Sequence, residues 1–130
     1  MTATNTQPLE PAATESTQQI RLAVDAALDR KAESLRVFRL ASVSDFTDYF
    51  VVMSGTNERQ VQAIADSVQD RLRSSGVRPL HVEGYDHARW VLLDYGGDMV
   101  IHVFLDESRQ FYGLERLWAD APEVTAEYVE

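Results

Sequence analysis

At 130 residues, 45% of them hydrophobic and 25% charged, the chain is long enough to bury one core unaided and too short for two. It has no cysteine, which excludes a disulfide framework and a thiolate metal site, and no apolar run approaches the ~20 residues that cross a bilayer. The net charge of −9 is concentrated at the ends: residues 1–15 and 119–130 carry six acids and no base, and the remainder, 16–118, is only −3.

Residues 1–15, rich in Thr, Pro, Ala and Gln, show no apolar periodicity and are expected to form a disordered tail. They lack the basic start and apolar run of a secretory signal, and the first basic residue is Arg21, a poor fit to an Arg-rich transit peptide. The expected location is the cytoplasm. Ser16 and Gln19 have capping-box spacing, and Ile20, Ala23, Val24, Ala27, Leu28 and Ala32 recur on one face of a helix over 17–33. Leu35 to Leu40 is rich in strand formers, and Tyr49-Phe-Val-Val-Met53 is a continuous apolar run, expected to be a strand covered on both faces. The two are joined by the turn-rich Ser42–Asp48 and are candidates for an antiparallel pair.

Ser54-Gly55 ends the second strand, with Thr56 or Asn57 as the N-cap of a helix marked by Val61, Ile64, Ala65, Val68 and Leu72 and closed by Gly76. A strand near Leu80–Glu83 follows, and this strand–helix–strand order implies parallel pairing. Trp90–Tyr95 and Met99–Leu105 flank Gly96-Gly97, whose glycines supply the positive φ values of a tight hairpin turn. Phe111, Leu114, Leu117 and Trp118 then lie at helical spacing, with Ser108 or Asp106 as cap. The expected fold class is α/β: a mixed β-sheet of about five strands with flanking helices, in the order α-β-β-α-β-β-β-α, over 16–118, followed by an acidic tail over 119–130.

Candidate chemistry is sparse. Met53-Ser-Gly-Thr-Asn57 places a helix start after a strand-ending glycine, where an anion can bind, but it has neither a GKS/GKT sequence nor a three-glycine fingerprint; a tight turn at Gly55 is the simpler account. Metal-dependent phosphoryl transfer needs converging carboxylates, yet no acid-x-acid pair falls on a predicted strand. Asp94 and Asp98 flank the hairpin turn, a position that turn preference also explains. No G-x-S-x-G elbow accompanies His81, His87 or His102, and His102 within an apolar strand is better read as a hydrogen-bonded structural histidine. The segment 83–107 carries six acids against Arg89 alone, which disfavours a nucleic-acid footprint and suits a basic protein partner. Trp90, Leu92 and Asp94 share one face of a strand, with Val91, Leu93 and Tyr95 on the other. Spacing alone favours Trp90 in a core; an open end of the sheet would make Trp90 and Tyr95 interface anchors.

Five stretches together resemble the ribosomal silencing factors (the Iojap family, RsfS): Asp45-Phe-Thr-Asp-Tyr-Phe-Val-Val-Met-Ser-Gly-Thr-Asn-Glu-Arg-Gln60, Val82-Glu-Gly84, Trp90-Val-Leu-Leu-Asp-Tyr-Gly96, Asp98-Met-Val-Ile-His-Val-Phe104, and Arg109-Gln-Phe-Tyr-Gly-Leu-Glu-Arg-Leu-Trp118. The match spans roughly 20–118, leaves out both acidic tails, and departs at Gly97, an added residue that lengthens the hairpin. The resemblance implies an α/β domain related to the nucleotidyltransferase fold without its catalytic carboxylates, and no enzyme activity, cofactor or metal. It implies binding to the large ribosomal subunit through large-subunit ribosomal protein fourteen, which blocks joining of the small subunit and lowers translation when nutrients are scarce. Trp90, Leu92, Asp94, Tyr95 and Asp98 are the partner-facing residues it carries over, and homodimers are expected. The alternatives left open are a nucleotidyltransferase-like enzyme using Ser54-Gly55, Asp94 and Asp98, and a plain dimerisation module.

Overall fold

The structure, a computed structural model, describes residues 15–41, 47–113, 116 and 121–129. In chain order it contains α1 (Glu15–Asp29), β1 (Glu33–Arg39), β2 (Tyr49–Gly55), α2 (Glu58–Ser74), β3 (His81–Glu83), β4 (Trp90–Asp94), β5 (Val100–Leu105), α3 (Asp106–Tyr112) and a short 3-10 turn, Thr125–Glu127. The five strands form one open mixed sheet in the spatial order β1-β2-β5-β4-β3. This is the expected α/β class and element order.

The pairing follows from which strand is most apolar. All six residues of β5 are buried, whereas all three of β3 are exposed. A strand buried on both faces belongs in the middle of a sheet, and a short polar one at its edge. The parallel pair is therefore β2 with β5, and β3 pairs only with β4, antiparallel. The implied parallel pairing of β2 with β3 is corrected: the β4–β5 hairpin lies between them. β1 and β2 pair antiparallel, as expected.

Two helices cover one face. From the sheet come Val37, Val51, Met53, Val91, Leu93, Ile101 and Val103, and from the helices Ile20, Ala23, Val24, Ala27, Val61, Ile64, Ala65, Val68 and Leu72, all with no exposed surface. Alanines on both helices permit close approach, and Ser67 on α2 donates to the Ala26 carbonyl of α1 at 3.0 Å. Asn57 is the N-cap of α2 and accepts from the Gln60 N–H, while Gln60 reaches back to accept from the Thr56 N–H. Gly76 takes φ +82° just past its end. The capping box expected at Ser16 is absent, because α1 already begins at Glu15. α1 also stops at Asp29, with Lys31 at φ +62°, so Leu28 is 41% exposed rather than buried. α3 starts at Asp106 with no side-chain cap and ends at Gly113; the expected continuation over Leu114, Leu117 and Trp118 lies outside the described residues, as do residues 1–14 of the tail expected over 1–15, whose last residue, Glu15, instead begins α1.

The stretch expected to be an acidic tail is, over 121–129, bound to β1. Arg39 donates its N–H to the Pro122 carbonyl, Val124 donates to the Val37 carbonyl, and the Val37 N–H is taken by Thr125 Oγ1. Glu123 accepts from the Arg36 guanidinium at 2.7 Å, which holds its carboxyl below the usual range. An edge strand needs its unpaired backbone satisfied or shielded; this segment does so and buries Phe38 and Val124.

Deleting residues 121–130 is therefore expected to destabilise the fold by about 2 to 4 kcal/mol through lost hydrogen bonds and apolar burial. The measurement is the urea unfolding midpoint, and a midpoint equal to that of the full chain would show that the segment adds no stability.

Candidate functional site

The second face of the sheet is aromatic. The β4–β5 register sets Trp90 opposite Phe104, Leu92 opposite His102 and Asp94 opposite Val100; β3 adds His81 opposite Asp94 and Glu83 opposite Leu92. Because side chains alternate across a strand, Trp90, Leu92 and Asp94 share this face with His81, Glu83, His102 and Phe104. Val91 and Leu93 point to the helices and are fully buried, whereas Trp90, Leu92 and Asp94 are each part-exposed.

Trp90 is held from several sides. Its ring stacks on Phe104 with centroids 5.3 Å apart, and its Nε1–H donates to His102 Nδ1 at 3.1 Å. His102 is 4% exposed and lies edge-on to Phe50, centroids 4.7 Å apart. Burial lowers its pKa to about 4, so the ring is neutral at pH 7. A structural, hydrogen-bonded histidine is what the structure places there. The backbone of Trp90 is positioned by Gly84: at φ +79° a Cβ on residue 84 would sit 2.1 Å from the Trp90 carbonyl oxygen. Val82-Glu-Gly84 and Trp90 thus form one unit, joined by the loop in which Ala88 donates to the Gly84 carbonyl.

The hairpin turn runs from Tyr95 to Met99, whose backbones are bonded at 3.0 Å. Gly96 has φ +76°; Gly97 does not take a positive φ, so the expectation for both glycines holds for one. Asp94 Oδ1 accepts from the Gly96 N–H at 2.8 Å, and Asp98 Oδ1 accepts from Ser16 Oγ at 2.8 Å. That second bond places a carboxylate at the start of α1, where the helix dipole favours it. Tyr95, expected to face a partner, is on the helix side: it is 7% exposed, and burial pushes its phenol up to about 12. The structure thus brings together Trp90, Leu92 and Asp94, puts Asp98 at the turn, and does not bring Tyr95 to this face.

The residues of the enzymatic alternative are used internally. Ser54 has no exposed surface and its Oγ accepts from Arg109, which also donates to the Ser34 carbonyl. A Cβ on Gly55 would meet Val61 Cγ2 at 3.0 Å and its backbone nitrogen at 3.1 Å. The Thr56 and Gln60 amides at the start of α2 are already bonded to side-chain oxygens. Among the described residues no three His, Asp or Glu side chains come together as a metal-sized group, and no helix is long and apolar enough to cross a membrane.

A family model described as "Ribosomal silencing factor during starvation" matches residues 13–130, so the likeness runs over the C-terminal segment that the resemblance over 20–118 left out. A ribosomal silencing factor RsfS of Halalkalibacterium halodurans is 43% identical over 110 residues, which cover 85% of this chain and 93% of that protein. One of Bacillus subtilis is 41% identical over 103 residues, 79% and 86% of the two chains. The crystal structure of a Chromobacterium violaceum protein superposes with a TM-score of 0.78 at 34% identity, covering 82% of this chain and 88% of that one.

Two outcomes follow from this geometry. Gly84→Ala is expected to cost at least about 2 kcal/mol, since the added Cβ meets backbone and the φ is left-handed; a urea midpoint matching the wild type would contradict the close approach. For His102, the unfolded chain titrates near 6.5 and the fold near 4, so between those values the unfolded state binds more protons. Its contribution is complete above the unfolded value and is lost as the pH falls toward the folded one. On the order of 3 kcal/mol is expected to disappear over that window, seen as a fall in urea midpoint that His102→Asn lacks; parallel curves for the two proteins would rule it out.

Proposed function

The chain belongs to the ribosomal silencing factor family, and on that footing we propose that it binds the large ribosomal subunit through large-subunit ribosomal protein fourteen. Bound there, it blocks docking of the small subunit and lowers translation when nutrients are scarce. It does this in the cytoplasm, by occupying a surface rather than by catalysis. The observation that carries this proposal is the part-exposed Trp90, braced by Phe104 and His102, with Glu83 diagonal to it and Asp94 at the other end of β4 on the same face. Rigid aromatic anchors concentrate binding energy at interfaces, and carboxylates on that face suit a basic ribosomal protein. Leu92 extends the apolar centre. Asp98 lies at the rim, and Tyr95 supports the hairpin from within.

A second copy of the chain is the alternative partner, at the edge strand β3, where Leu80 and Val82 are 68% and 40% exposed and Val82, opposite Leu93, points away from the Trp90 face. Light scattering with and without the ribosomal protein separates the two: a dimer that persists in the complex places self-association elsewhere, and one that dissociates places it on the same surface.

Trp90→Ala is expected to weaken binding to purified large subunits by roughly 2 kcal/mol, read by co-sedimentation, and to restore subunit joining in its presence. Raised salt should weaken the wild type further by slowing association. A folded Trp90→Ala protein that co-sediments like the wild type would remove this face from the proposal. Calorimetry with nucleotides and magnesium tests the enzymatic alternative, which requires binding that Asp98→Asn abolishes.

A further inference from the structure

We infer that His102 is a positioning residue for Trp90: it takes the indole N–H from within the sheet, so that Trp90 meets its partner through ring carbons and π face alone. The group that fits such a surface is an apolar side chain or a guanidinium, not a hydrogen-bond acceptor. This inference rests on Trp90 being a partner anchor.

An indole has one donor and no acceptor. At 3.1 Å that donor is used by His102 Nδ1, and an accepting Nδ1 in a neutral imidazole leaves the ring proton on Nε2. The imidazole cannot easily turn away. It is buried in the central strand, edge-on to Phe50 and alongside Phe104, on which Trp90 itself stacks. The three rings of Trp90, His102 and Phe104 therefore fix one another across the β4–β5 pair. Glu83, opposite Leu92, is diagonal to Trp90 across β3 and β4. A cation drawn to Glu83 meets the part-exposed indole with its N–H turned inward, the geometry that an arginine against tryptophan uses. Without the acceptor at 102, the indole N–H loses the bond that sets its direction and the ring loses its preset orientation, which reduces affinity without removing any direct contact to the partner.

The test uses the full chain and three readouts. The first is the Trp90 indole signal in a ¹H–¹⁵N spectrum, assigned with Trp90→Phe: slow exchange and a through-hydrogen-bond coupling to His102 Nδ1 are expected. A fast-exchanging, uncoupled indole in the wild type overturns the inference whatever the variants do. The second is binding to purified large subunits. His102→Leu, which keeps bulk and removes the acceptor, is expected to weaken binding about tenfold and to speed indole exchange. His102→Asn, whose amide oxygen falls near the place of Nδ1, should restore slow exchange and binding to within about threefold of the wild type. The third is the same substitution in a Trp90→Phe background, where no indole N–H exists and His102→Leu should change affinity by less than about twofold. An equal loss in both backgrounds would make His102 a general structural residue and refute the positioning role. If His102→Leu does not fold, the wild-type coupling and the Asn variant decide alone. If Trp90→Ala binds like the wild type, the anchor reading fails and the partner chemistry fails with it, while the indole signal separately reports whether His102 holds the ring.

Discussion

The structure depends on the burial of β5 between two strands running in opposite senses. All of Val100–Leu105 is buried, with β2 parallel on one side and β4 antiparallel on the other. A strand covered on both faces cannot carry a polar side chain without a partner for it. β5 nevertheless contains His102, and the nearest donor across the β4 pair is the indole of Trp90. The polar group in the core thus orders the aromatic group on the surface.

The same constraint makes hairpin length decisive. A two-residue turn at Gly96-Gly97 would set Trp90 opposite Val103 and carry His102 to the helix side. The observed turn runs over Tyr95–Met99 and sets Trp90 opposite Phe104. A one-residue slip exchanges the faces of a strand entirely, so the site exists because the turn is longer than its two glycines alone indicate. The tip is fixed from outside the hairpin as well: Gly97 accepts from the Asp48 N–H, and Asp98 accepts from Ser16.

Features decided by local chemistry were legible in the sequence. The five buried residues of α2, the Asn57 cap and the Gly76 terminus follow from 3.6-residue spacing and backbone geometry, and the structure has each of them. The two hairpin-type pairings, β1 with β2 and β4 with β5, were legible; the parallel pairing was not, because β2, α2 and β3 in sequence do not reveal that a later hairpin will separate the two strands. Tyr95 was misplaced for a related reason: alternation already put it opposite to Trp90, but its position within a matched motif suggested a contact. The segment 121–129 has no apolar periodicity, and its attachment uses backbone groups of β1 together with Thr125 and Glu123; composition shows only its charge. The likeness of the family model through residue 130 is the sign that it belongs to the domain.

Motif matching also does not separate residues that hold the fold from those that meet a partner, and here the two kinds are adjacent. Gly84 is required by the Trp90 carbonyl, Asp98 by Ser16, and His102 by the indole N–H. Each lies in a stretch that resembles the family, and each has an internal reason to be the residue it is. Trp90 and Leu92 differ, since their part-exposed side chains leave apolar surface facing outward on a sheet whose other face is closed by two helices. Such a surface is what the proposed function assigns to the partner. In the function proposed above, the residues with internal duties would keep that small exposed area in one shape before a partner binds, which is where a rigid surface gains affinity over a flexible one.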